Sequence, residues 1–315
     1  MTQKALAVLL SNLADPILPI FMAMLLGYGM RLTGFFEVAT AQAINRFVFY
    51  VAMPALIFKL VGSLAFSAAD WPTVLTYLGT EAVVYIGVAV VAKLVFRRSA
   101  EEALLIGMAA GFVNHLMFVL PIAQGLHGDA AGRPIAALVF IDILVFCLSV
   151  LAMDLLKARS SQGNGAYGFA KVSVMLAKNP IVISTAVGLF AAFNRDMVPS
   201  GVFTYANFAA GAAAPAALFA LGVILADQPL RPLGGLTWFT VGVKLLVHPA
   251  LFALASGVVV MQPTWQQLGF LVAAGPCGAM PFVIALQYGI KPTTIAKAVL
   301  VSTVLSLLSL SYLTA

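Results

Sequence analysis

A chain of 315 residues in which 62% are hydrophobic and 9% charged has too few polar side chains to cover a soluble globule, which places it in lipid. Its formal charge of +6 would suggest nucleic acid in a soluble protein, but the basic residues lie between apolar runs, where they read as topology signals, so no nucleic-acid partner is expected. Cys147 and Cys277 sit in apolar stretches without CxxC or metal-ligand spacing, so they read as buried structural thiols and indicate neither a disulfide framework nor a zinc site.

A membrane-spanning helix takes about 20 apolar residues, so the length allows about ten spans and no separate soluble domain. Near the N-terminus, Lys4 precedes the run Ala5 to Leu10, which is too short for a signal peptide and is not followed by a small-residue cleavage site. In chain order the expected spans lie near 14–33, 41–63, 73–95, 102–126 and 133–156, then near 178–195, 203–226, 236–260, 266–289 and 292–314. With the N-terminus outside, twelve of the 17 Lys and Arg residues fall on the cytoplasmic side, among them Arg31, Arg46, Arg97, Arg98 and Arg231. Lys4, Arg133 and Arg195 fall outside, and Lys59 and Lys244 remain within spans. That asymmetry predicts a multi-pass protein of a bacterial inner membrane with both termini periplasmic.

The polar stretch 158–171, with its Ser160 to Gly165 tract, reads as a flexible cytoplasmic linker between five spans at 1–157 and five at 172–315. At an offset of 161 residues Pro19 falls on Pro180, Gly27 on Gly188, Pro54 on Pro215 and Phe58 on Phe219. Pro121 corresponds to Pro276 at a slightly smaller offset. Because five is odd, two such units lie in the bilayer with opposite orientations, forming an inverted repeat.

The fourth span contains Asn114, His115 and Pro121; the ninth contains Gly275, Pro276, Cys277, Gly278, Met280 and Pro281. A mid-span proline removes a backbone donor and opens the helix, which lipid tolerates only where the break faces protein or a water-filled cavity. Two breaks at matching positions of an inverted repeat are expected to cross near the midplane. There, half-helix N-termini suit a carboxylate. The alternative is a pair of simple proline kinks.

Pro16-Ile-Leu-Pro-Ile-Phe with Gly27-Tyr28, Asn45 to Phe58 around Met53-Pro54, Asn179-Pro180 and Ala214 to Gly222 resemble the auxin efflux carrier family. So do Lys244 with Pro249, Gln287-Tyr-Gly289 and Ser302 to Ser306, so the resemblance spans nearly the whole chain. It implies an all-α membrane protein of ten helices in a 5+5 inverted repeat with crossed, broken helices four and nine, and a permease for an organic anion. The bacterial branch is associated with malonate, malate and similar dicarboxylates, the plant branch with indole acetate. Asn114 matches the family's asparagine before the crossover proline. Where the family usually carries a second asparagine after the ninth-span proline, this chain has Met280.

Charges inside apolar spans are functional candidates by default. Lys244, with Asn114, His115 and the ninth-span residues, is expected to contact substrate or to form an internal ion pair. Asp142, in a dry run of the fifth span, with Glu81, Lys59 and His248, is a candidate for proton or sodium coupling or for internal pairing. Snorkelling for Lys59 and structural hydrogen bonds for the others are the competing readings. His127 reads as a loop residue. The sequence has no Walker motif, HExxH, paired-aspartate signature or glycine-flanked serine, so neither ATP coupling nor an enzyme is expected, and no cofactor is implied. What remains is secondary transport by alternating access. The alternatives are a cation-coupled carrier of another cargo (a bile-acid-like anion, an auxin-like monocarboxylate or a cation) or a channel. The partners are the anion and membrane lipid, with a homodimer left open.

Overall fold

The computed structural model describes residues 18–19, 22–64, 69–160, 174, 177–227 and 232–313. The Ala5 to Leu10 run, most of the 158–171 linker and the side chain of Cys147 lie outside the described residues. Among those residues the chain is helical, with one isolated β-bridge and no strand.

The helices are α1 (22–32), α2 (Val38–Gly62), α3 (Trp71–Leu94), α4 (Ala100–Gly111), α5 (Leu120–His127) and α6 (Gly132–Ser160). They continue with α7 (Pro180–Phe193), α8 (Ser200–Ala226), α9 (Gly235–Ser256), α10 (Pro263–Ala273), α11 (Met280–Gln287) and α12 (Thr293–Leu313). Among the described residues five, α2, α3, α6, α8 and α9, are long and apolar enough to cross a membrane. The expected fourth and ninth spans are each divided, into α4 with α5 and α10 with α11.

Local sequence explains several starts. Asp70 caps α3 by accepting from the Thr73 amide and hydroxyl, with Pro72 in the first turn. Ser99 caps α4 by accepting from the Glu102 amide at 3.1 Å, and Glu101 and Glu102 in the first turn complement the helix dipole. Asn179 accepts from the Ile181 amide at 2.9 Å and Pro180 opens α7. His127, expected in a loop, is instead the last residue of α5, which ends at Gly128 with a positive φ of 59°.

Three prolines share one local solution. Pro54, Pro121 and Pro249 each follow a π-helical turn, at Val48–Ala52, His115–Val119 and Val243–Val247. A proline inside a helix clashes with the carbonyl four residues back and cannot donate to it. Widening the preceding turn removes the clash and keeps the helix going.

The polarity of the fold is inside out. Leu25, Leu26, Val83, Ile86, Leu148 and Phe208 are exposed, while Glu81, Asp142, Lys244, His115 and His248 are buried. An apolar exterior of this extent is a lipid contact surface. Small residues let the helices meet at backbone distance. A Cβ on Gly222 of α8 would overlap the Met24 carbonyl oxygen of α1, and one on Gly27 would overlap that of Phe219. The α1–α8 pair is also joined by an ion pair from Arg31 to Asp227 at 2.7 Å.

Because the obstacle at Gly222 is backbone, it cannot rotate away. Gly222→Ala is expected to destabilise the protein by about 1–3 kcal/mol, read as a lower melting temperature in detergent. Gly79→Ala, on an exposed helix face where a Cβ meets nothing within 4 Å, should leave it unchanged or slightly raised.

Candidate functional site

The two divided spans are joined through their open backbone. Helix α4 stops at Gly111, Phe112 is extended (φ −63°, ψ 133°), and Val113 faces Cys277 in an antiparallel bridge. The Asn114 amide donates to the Pro276 carbonyl at 3.2 Å, and the Gly278 amide donates to the Phe112 carbonyl at 2.8 Å. The Cys277 amide donates to Ser302 Oγ of α12 at 3.0 Å. Each break thus supplies the partners the other has lost, which is the condition for open backbone at membrane depth. Gly275 and Gly278 make the approach feasible. A Cβ at Gly275 would come within 2.7 Å of Val119 and 2.8 Å of Val113, and one at Gly278 would overlap the Phe112 ring.

The position of the first break corrects the sequence-based expectation. The mid-span proline predicts a break at Pro121, but the chain opens at Phe112 to Asn114, and Pro121 is the second residue of α5 beyond the π turn. In the other break Pro276 does lie in the open segment, between α10 and α11. The proline-to-proline correspondence therefore pairs an open residue with a helical one.

A cavity of about 60 Å³ adjoins the crossing. Its wall is apolar, with Met53, Ile57, Phe146 and Ile181, apart from Asn114, His115 and Asp142. Met280, at the start of α11, also lines it. The Asn114 side chain makes no hydrogen bond to a described residue, so its amide can both donate and accept toward an occupant.

His115 and Asp142 of this wall belong to a buried polar cluster that extends behind it. Asp142 Oδ1 accepts from the Tyr77 hydroxyl at 3.0 Å; Oδ2 accepts from the Val113 amide at 3.4 Å and lies 3.3 Å from His115 Nε2. His115 Nε2 is also 3.1 Å from the Tyr77 hydroxyl. Since that hydroxyl spends its proton on Asp142, the imidazole carries hydrogen on Nε2, leaving Nδ1 a bare acceptor. Lys244 Nζ donates to the Gly111 carbonyl at 3.3 Å and to His248 Nδ1 at 2.8 Å, which sets His248 as the Nε2–H tautomer. Thus Asp142 holds the second residue after the α4 end and Lys244 holds that end itself. Glu81 lies against Gly111, its Cγ 3.4 Å from where a glycine Cβ would stand.

The structure brings together most residues singled out from sequence: Asn114, His115, Pro276, Cys277, Gly275, Gly278 and Met280 at the crossing, and Asp142, Glu81, Lys244 and His248 behind it. Lys59 takes no part; its Nζ donates to Asn207 Oδ1 of α8 at 2.6 Å. Sequence reading gives Tyr77 no role and names Ser302 only within the family-like stretch of the last span. Tyr77 precedes Glu81 by four residues, so one face of α3 carries both, a signal available in the sequence. No spacing rule links Ser302 to Cys277.

The profile of the family described as "Membrane transport protein" matches residues 13–165 and 169–314. The chain is 30% identical over 310 residues to a Rhizobium meliloti (strain 1021) protein named "Putative malonate transporter", covering 94% of this chain and 93% of the other. It is 22% identical over 311 residues to an uncharacterized transporter of Methanocaldococcus jannaschii, covering 93% and 95%. It is also 28% identical over 138 residues to auxin efflux carrier component 7 of Arabidopsis thaliana, covering 42% of this chain and 22% of the plant protein.

Tyr77→Phe removes a donor from a buried carboxylate, which costs about 1–3 kcal/mol. Its melting temperature in detergent should fall further than that of Tyr85→Phe, which loses only a half-buried bond to Ser149 at 2.8 Å.

Proposed function

Because the chain belongs to the membrane transport protein family, that of the auxin efflux carriers, we propose that it is a secondary transporter of a small organic anion, working by alternating access. The observation that carries this reading is the pair of broken helices bonded to each other beside a cavity. Two half-helices, α11 and the π turn leading into α5, begin at cavity-lining residues, Met280 and His115. Half-helix N-termini favour negative charge, and Asn114 adds a side-chain amide with donors to spare.

The substrate we assign is a dicarboxylate of the malonate type, carried over from the name of the Rhizobium meliloti relative. Replacement of the family's usual second asparagine by Met280 leaves one amide in the cavity wall, which favours a compact anion. The full architecture proposed is ten spans in a 5+5 inverted repeat in a bacterial inner membrane, with both termini periplasmic. Reciprocal packing supports the repeat: α1 meets α8 through Gly27 and Gly222, and α7 meets α2 through Gly188 and Gly62. In both α2 and α8 the helix is irregular shortly before the matched proline, with the π turn before Pro54 and the turn at Gly211-Ala212 before Pro215. The buried cluster around Asp142 and Lys244 is the proposed coupling element, since it grips the end of α4 and the residues that follow it.

Purified protein in liposomes should accumulate labelled malonate. Asn114→Ala should lower uptake about 10- to 100-fold, the loss of a hydrogen bond to a charged group, with its melting temperature preserved. Unchanged uptake by a well-folded Asn114→Ala variant would place the substrate elsewhere.

A further inference from the structure

The cluster behind the crossing contains two carboxyl groups and one lysine, and the two acids are treated differently. Asp142 meets three hydrogen-bonding groups, the Tyr77 hydroxyl, the Val113 amide and His115 Nε2. That set of donors suits a carboxylate that carries charge. Glu81 is fully buried, and neither oxygen has a hydrogen-bond partner among the described residues. An ionised carboxylate with no donor in an apolar interior is among the costliest arrangements a protein can hold.

The other charged or titratable groups that face Glu81 are Tyr77 and Tyr85 on its own helix, Asp142 on α6 and Lys244 on α9. His115, His248 and Cys277 lie around Lys244. His248 Nδ1 is committed to the lysine and His115 Nε2 faces Tyr77 and Asp142, and the remaining nitrogens, His115 Nδ1 and His248 Nε2, have no hydrogen-bond partner among the described residues, so neither imidazole bonds Glu81. With Lys244 and one of the two acids ionised, the cluster is electrically neutral only when the other acid holds a proton, and the donors around Asp142 against none around Glu81 assign that proton to Glu81. The fixed ammonium of Lys244 repels a second cation from this space, so the charge left to exchange is a proton.

We propose that Glu81 is the seat of one exchangeable proton, bound together with the organic anion and released with it. The inference rests on the transport reading above and names its coupling ion. Glu81 abuts Gly111, the last residue of α4, three residues before Asn114. An anion beside Asn114 adds negative charge to the same low-dielectric region and favours the protonated carboxyl. Movement of α4 that frees the Gly111 carbonyl from Lys244 uncovers Glu81 to water, where its proton leaves. The step is a proton transfer between water and the carboxyl oxygen, with no other bond made or broken.

The test uses full-length protein in detergent, in weakly buffered, sodium-free solution near neutral pH, with malonate as probe and a pH dye as readout. Binding is followed in parallel by thermal shift. With the starting pH stepped upward from neutral until Glu81 of the unliganded protein, uncovered to water, has lost its proton, the wild type should take up about one proton per malonate bound, and Glu81→Gln should bind malonate and take up none at any pH. Malonate binding without proton uptake by the wild type, or the same uptake by Glu81→Gln, overturns the proposal while leaving the transport reading intact. Failure of the wild type to bind malonate or any other small dicarboxylate overturns the transport reading instead. Should Glu81→Gln not fold, Glu81→Asp decides: a carboxyl at this place must restore both folding and proton uptake, and a folded Glu81→Asp protein that binds malonate without a proton sinks the idea.

Discussion

Open backbone inside a membrane has nowhere to find water, and the structure turns on that constraint. The chain leaves α4 at Gly111 and α10 at Ala273; two backbone groups of each break pair with the other break, and Ser302, Asp142 and Lys244 each take one more. The same pairing that makes the breaks affordable creates the gap between half-helices where the cavity and Asn114 lie. Any motion that spreads the crossing apart must also unmake the bonds that permit it.

Behind the crossing, buried charge is placed to hold the first break from two sides. Lys244 binds the carbonyl at which α4 ends, and Asp142 binds the amide of the second residue beyond it. Both come from helices other than α4 and α5, so any relative motion of those helices is felt at the break. Buried ionic groups seldom add net stability, and here each is bonded to a backbone group of the segment that carries Asn114. Lys59, by contrast, is satisfied by a neighbouring asparagine and has no comparable reach into the crossing.

Proline plays two roles that sequence alone does not distinguish. Pro276 lies within an open segment, while Pro54, Pro121 and Pro249 are absorbed by π turns that let their helices continue. A lost N–H and a steric clash are common to all four. Whether the chain widens one turn or leaves the helix altogether depends on what stands opposite to receive the freed groups. Opposite Pro276 stands another interrupted strand of backbone, reached because Gly275 and Gly278 carry no side chain.

Residue types by themselves determined the medium and the helical segments. Apolar runs bounded by Asp70, Ser99 and Asn179 as caps dictate where helices begin, and their excess of exposed hydrophobic side chains dictates lipid. Sequence also singled out Asn114, Asp142, Lys244 and Glu81, because a polar side chain in a dry run stands out against its neighbours. Which of these would meet was decided by tertiary structure, since hydrogen bonds such as Tyr77 to Asp142 or Lys244 to Gly111 join residues 65 and 133 positions apart. Local pattern reports what a segment prefers, but partnership between distant segments is settled only when packing brings them within bonding distance. For that reason the first break lies at Phe112 to Asn114, where Pro276 to Gly278 could reach it, and not at Pro121.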